Sequence, residues 1–117
     1  MSVVGEEDIR RLALALPEVV ESDHHGIPSF RVRGKIFCTI RPGGSRMMVK
    51  LDSEDQHNLC GGRPDAVEPV PGYWGQKGST FVDLLRVDKA LAEILLRLAY
   101  ANVAPKSLAG RVGPPAP

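Results

Sequence analysis

From His24 to Leu51 the chain runs without a single Asp or Glu, yet it carries six cations: Arg31, Arg33, Lys35, Arg41, Arg46 and Lys50. Apolar residues alternate through the same stretch. Phe30 and Val32 alternate with Arg31 and Arg33, Ile36, Cys38 and Ile40 with Phe37, Thr39 and Arg41, and Met47, Val49 and Leu51 with Arg46, Met48 and Lys50. A period of two is the signature of strands with one buried face. Gly34-Lys35 and Pro42-Gly43-Gly44-Ser45 supply the turn residues between them. The stretch therefore predicts a three-stranded antiparallel meander. Alternation puts Arg31, Arg33, Arg41, Arg46 and Lys50 on the face away from the core. Phe37 breaks the pattern, because it falls on the side of Arg41. Either Phe37 is buried and its strand is twisted or bulged, or an aromatic ring lies on the basic face.

This local charge is hidden in the total. The chain has 15 basic and 14 acidic residues. Removing the six cations of the stretch leaves 9 basic against 14 acidic, so a +6 segment sits in a −5 remainder. A partner within a Debye length feels the segment rather than the sum.

At 117 residues, 43% apolar and 25% charged, the composition is that of one ordinary globular domain. Cys38 and Cys60 form no CxxC pair and read as free thiols of a reducing compartment. There is no basic-then-apolar leader and no apolar run of membrane-spanning length, so a cytoplasmic location without membrane contact is expected.

Around the meander, residues 6 to about 16 carry a helical stripe of Ile9, Leu12, Ala13 and Leu16, with acids in the first turn and Pro17 as the stop. Val19 and Val20 open a short extended piece whose edge Glu18, Glu21 and Asp23 keep soluble. A second helix starts with Ser53 as cap and Gln56 three residues on, and ends at Gly61-Gly62. The Pro/Gly-rich segment 63–78 leaves room for a short strand around Ala66 to Val70, and 79–86 reads as another strand. Asp88 caps the strongest helix, 89 to about 101, with Leu91, Ile94, Leu95 and Leu98 on one side. Pro105 opens a last helical turn, and 110–117 reads as a disordered Gly/Pro-rich tail after a single domain of residues 1–109. This order implies an α+β domain of two layers, a twisted antiparallel sheet with helices on one face. The other face is left to solvent or to a partner.

His25-Gly26-Ile27-Pro28-Ser29-Phe30, Gly34-Lys35-Ile36-Phe37, Tyr73-Trp74-Gly75 and Val103-Ala104-Pro105-Lys106 occur in that order, after a helix ending Leu14-Ala15-Leu16-Pro17-Glu18-Val19. Over about residues 6 to 108 this resembles the MmcQ/YjbR family of small bacterial proteins. The resemblance implies a compact α/β sandwich of the double-wing kind and, by fold likeness, a DNA-binding role. Ser79-Thr80 departs from the aromatic or aliphatic residue expected after the Gln76-Lys77-Gly78 turn.

The cations and the aromatics yield two candidate sites. Arg31, Arg33, Lys35, Arg41, Arg46 and Lys50 form a surface able to neutralise phosphates; the same charges also suit a merely solvated sheet face. Tyr73 and Trp74 lie in a Pro/Gly loop, where they either stack on a ligand or plug the core edge. Together with His25, Phe30 and Lys106 they outline an alternative cleft for a small ligand or a protein. His57 and Cys60 have ligand-like i, i+3 spacing without a second pair, so neither a metal nor a cofactor is expected. Ser29 is not in a GxSxG elbow, and Gly72 to Gly78 lacks the GxxxxGK[ST] pattern. The expectation is a non-enzymatic binding domain that holds DNA weakly and mainly by charge, with oligomeric state and protein partners left open.

Overall fold

The computed structural model describes residues 4–112. Helix α1 (Glu6–Leu14) is followed by four sequential strands: β1 (Val19–His24), β2 (Ile27–Val32), β3 (Lys35–Ile40) and β4 (Arg46–Lys50). Then come α2 (Ser53–Gly62), β5 (Val67–Pro69), α3 (Tyr73–Gln76), β6 (Ser79–Asp83), α4 (Lys89–Val103) and α5 (Lys106–Val112). The strands form one antiparallel sheet in the order β1-β2-β3-β4-β6-β5. The α+β expectation holds, and the meander is one strand longer than expected, because Val19 to His24 pairs along its whole length with β2.

Two hairpin turns set the register. His25 and Gly26 have φ of 53° and 87°, and Arg33 and Gly34 have φ of 50° and 81°. Positive φ at both central residues is the two-residue turn whose twist matches that of the strands. The second turn is therefore Arg33-Gly34, not Gly34-Lys35, and Lys35 opens β3 opposite Val32. In the first turn Gly26 donates its N–H to the Asp23 carboxylate at 3.2 Å.

β3 carries a bulge. The register shifts between Phe30, which faces Cys38, and Arg31, which faces Ile36, so Phe37 is the extra residue. Phe37 and Cys38 both enter the core, and the side-chain order flips before them. This resolves the ambiguity in favour of burial. It also corrects the expectation for Ile36, which lines the open side of the sheet instead of the core.

The helical layer covers the other side. α4 packs on β3 and β4, α1 on β1 and α4, and α5 on α4. Asp88 caps α4 by accepting from Leu91 N at 2.8 Å. The buried side of α4 is Ala92, Leu95, Leu96, Ala99 and Tyr100, rotated from the expected stripe, which leaves Ile94 and Leu98 half-buried. Two alanines let the helix approach the sheet closely. Tyr100 meets Phe37 edge-on at 5.7 Å and donates its hydroxyl to the Pro17 carbonyl at 2.8 Å. Asp52, not Ser53, caps α2, accepting from Asp55 N at 2.7 Å. α5 runs through to Val112, so 110–112 are helical; residues 113–117 of the expected tail lie outside the described residues. No helix among the described residues is long and apolar enough to cross a membrane.

Candidate nucleic-acid interface

The uncovered face of the sheet can be read from its register. Across the strands run Ser29, Thr39, Met48, Phe81 and Glu68 as opposed partners, and beside them Arg46 opposes Asp83 and Lys50 opposes Ser79. Arg41 donates its N–H to Arg46 O at 2.8 Å, which extends the row of Arg46. A groove of about 420 Å3 follows this face, floored by Ile36, Thr39, Met48 and Phe81 and walled by Arg41, Lys50, Val70, Ser79, Trp74 and His24.

Arg46 lies over the Phe81 ring with Cζ 3.9 Å from its centroid, and Arg41 reaches the same ring at 5.9 Å. Lys50 Nζ stands 5.9 Å from the Trp74 ring. Such contacts hold cations against an apolar floor without neutralising them. Arg31 joins this face beside β1, its Nε donating to Ser29 Oγ at 3.2 Å and its Nη2 to the Asp23 carbonyl at 3.4 Å. Among the described residues none of Arg31, Arg41, Arg46 and Lys50 forms an ion pair.

Two of the six expected cations leave the set. Arg33 occupies the turn and grips the Glu18 carboxylate with both arms of its guanidinium, at 2.6 and 3.0 Å. The Arg33 fork holds the Glu18 carboxyl below its usual range. Lys35 points to the side of Val32 at the start of β3 and is exposed there. The cause is the same for both: moving the turn back by one residue takes Arg33 out of the strand alternation.

The alternative cleft does not assemble as a whole. Phe30 is fully buried under the helices, His25 sits in an exposed turn, and Lys106 is exposed on α5, which packs on α4. Tyr73 and Trp74 do reach the surface, 61% and 60% exposed, with their rings edge-to-face at 5.2 Å. The loop that carries them is pinned from beneath. A β-carbon on Gly75 would stand 1.7 Å from the Val70 carbonyl oxygen, and one on Gly78 2.0 Å from that of Leu51. Gln56 Nε2 donates to Gly75 O at 2.9 Å, Ser79 O at 3.2 Å and Thr80 Oγ1 at 3.0 Å. Ser79 and Thr80 are both buried, and Thr80 donates to Gly78 O at 2.9 Å, which explains hydroxyls at this point of the hairpin.

Sequence reasoning missed Thr39 and Phe81. Thr39 is only 1% exposed, and its Oγ1 and the Arg41 Nε, both buried and both in the groove wall or floor, have no hydrogen-bond partner. The signal for Phe81 was its place between Thr80 and Val82 in an alternating strand; its two arginine neighbours come from other segments. Among the described residues no group of three His, Cys, Asp or Glu side chains is placed to hold a metal ion.

The YjbR family model matches residues 14–102. The chain belongs to the YjbR family. This YjbR chain also superposes on a crystal structure of the Deinococcus radiodurans protein DR2400, with family-model domain DUF419, at a TM-score of 0.70 and 23% identity, covering 93% of this chain and 88% of that one. At that identity the likeness is one of fold. No curated protein matches the chain.

Proposed function

We propose that this YjbR domain is a non-enzymatic DNA-binding protein of modest affinity, holding phosphates on its open sheet face through Arg41, Arg46 and Lys50, with Arg31 at the rim. The observation that carries the reading is that these side chains share the open sheet face, Arg41 and Lys50 in the groove and Arg46 over Phe81 beside it, with no ion pair to any of them among the described residues. Unpaired guanidinium groups present donor forks suited to phosphate, and charge neutralisation releases counterions. The contacts are to the backbone of the nucleic acid, so sequence preference is small.

Anisotropy of fluorescein-labelled DNA tests it. With about four phosphates neutralised, affinity falls roughly a hundredfold between about 50 and 200 mM salt. The combined R41A, R46A and K50A variant binds at background, whereas R33A, whose guanidinium is spent on Glu18, binds as the parent does. Absence of binding at low salt, or a triple variant that binds normally, would sink the reading.

The groove volume favours a second reading, a small anionic ligand held between Trp74 and Arg41. Saturable binding of a nucleoside monophosphate in calorimetry, together with no DNA binding at low salt, would favour it over the first.

A further inference from the structure

We infer that the groove takes an unpaired nucleotide, its base on Trp74 and its phosphate against Arg41 and Lys50, so that the domain prefers single-stranded to duplex DNA. This deepens the DNA-binding reading and rests on it.

Three observations carry it. First, the cationic strip is narrow. Arg31, Arg41, Arg46 and Lys50 come from three adjacent strands, about 10 Å across at the usual strand spacing. Beyond Phe81 the same face turns acidic, with Glu68 and Asp83 on β5 and β6. A duplex resting here would bring its second strand, across a groove of about 12 Å, towards those carboxylates. One strand fits within the strip. Second, Trp74 stands at the wall of the groove with more than half its surface free, next to Lys50. An exposed indole beside a cation offers a stacking surface that paired bases cannot reach and unpaired ones can. Third, Arg41 and Lys50 wall the same groove as Trp74 and form no ion pair among the described residues, so their donors are open to a phosphate beside a stacked base.

Trp74 is the only tryptophan, so its emission reports on the groove directly. Titration with an oligothymidylate quenches it, and labelled oligothymidylate binds more tightly than a hairpin duplex of equal phosphate count. In anisotropy W74L lowers affinity for oligothymidylate about tenfold, shrinking the ratio of single-strand to duplex affinity. Equal affinity for the two forms with W74L indifferent would overturn this inference while leaving the DNA-binding reading intact. Loss of all binding at low salt would overturn both. Thymidine monophosphate is the third arm: if it binds as tightly as the oligomer, the groove serves a free nucleotide and the preference for a strand is refuted.

Discussion

Arg41 and Arg46 are joined through the backbone, N–H to carbonyl at 2.8 Å, and both guanidinium groups face the single ring of Phe81. Two like charges are thus held side by side at one end of a hairpin. The nearest acid across the sheet, Asp83, is engaged elsewhere: it reaches Arg86 at 3.4 Å and accepts from Leu85 N at 3.0 Å. An anion placed between the two arginines would relieve their repulsion.

Removing one of the pair should therefore show in the salt dependence of DNA binding. Arg46→Ala is expected to reduce the slope of log affinity against log salt by about 0.7–0.9, the share of one phosphate. Arg33→Ala is expected to leave the slope unchanged. Equal slopes for the two variants would remove Arg46 from the interface.

Gln56 lies outside the groove yet holds the loop that carries Trp74. Gln56→Leu deletes the amide whose two N–H groups serve three acceptors. Two of the three acceptors keep other donors, Gly78 N on Gly75 O and Val70 N on Ser79 O, so the expected loss is about 1 kcal/mol in urea denaturation. The loop loosens as well, and the polarisation of Trp74 emission falls. A stability loss without that fall would mean the glycine contacts alone hold the loop.

Acid should weaken the domain. Hydrogen bonding from Arg33 lowers the Glu18 carboxyl, hydrogen bonding from Arg10 lowers Glu21, and the Gly5 N–H lowers Asp8. A carboxyl with a folded value below its unfolded one contributes stability that is complete above the unfolded value and is lost as pH falls through the folded one. The urea midpoint should be flat from neutrality down to about pH 5 and drop below about pH 4.5, where unfolded glutamates begin to take up protons. In R33A the drop should be shallower, because Glu18 no longer contributes. A midpoint unchanged down to about pH 3 would contradict this.

Phe37 should be the costliest core position of the meander. It is fully buried and packs edge-on against Tyr100. Phe37→Ala is expected to lose about 3–5 kcal/mol, and Tyr100→Phe, which gives up only the bond to the Pro17 carbonyl, about 1 kcal/mol. Thermal or urea unfolding measures both. A loss near zero for Phe37→Ala would mean that the strand slides by one residue and refills the space.

What could be read from the residues was whatever local chemistry decides. Asp88 as a cap needs only its own carboxylate and the next turn, and the alternation of Met47 and Val49 with Met48 needs only the pleat. The two-layer α+β arrangement followed from the order of such segments. Where neighbours in space decide, the residues alone were insufficient. Arg33 looked like a strand cation because its partner, Glu18, lies in another segment and the turn could shift by one. The buried side of α4 turned because alanines, weak as hydrophobic signals, allow the closest approach to the sheet. Phe30 belongs to the expected cleft, yet strand alternation sends it inward.

The extra residue in β3 has an effect that outlasts this one chain. Before it, Ile36 greets the solvent side; after it, Cys38 and Ile40 fill the interior. An offset of one place in comparing this strand with another therefore pairs a residue of the core with one of the open sheet face. Substitutions tallied across such an offset would make a strictly constrained strand look permissive. Placing the bulge at Phe37 separates the two environments that this short strand carries.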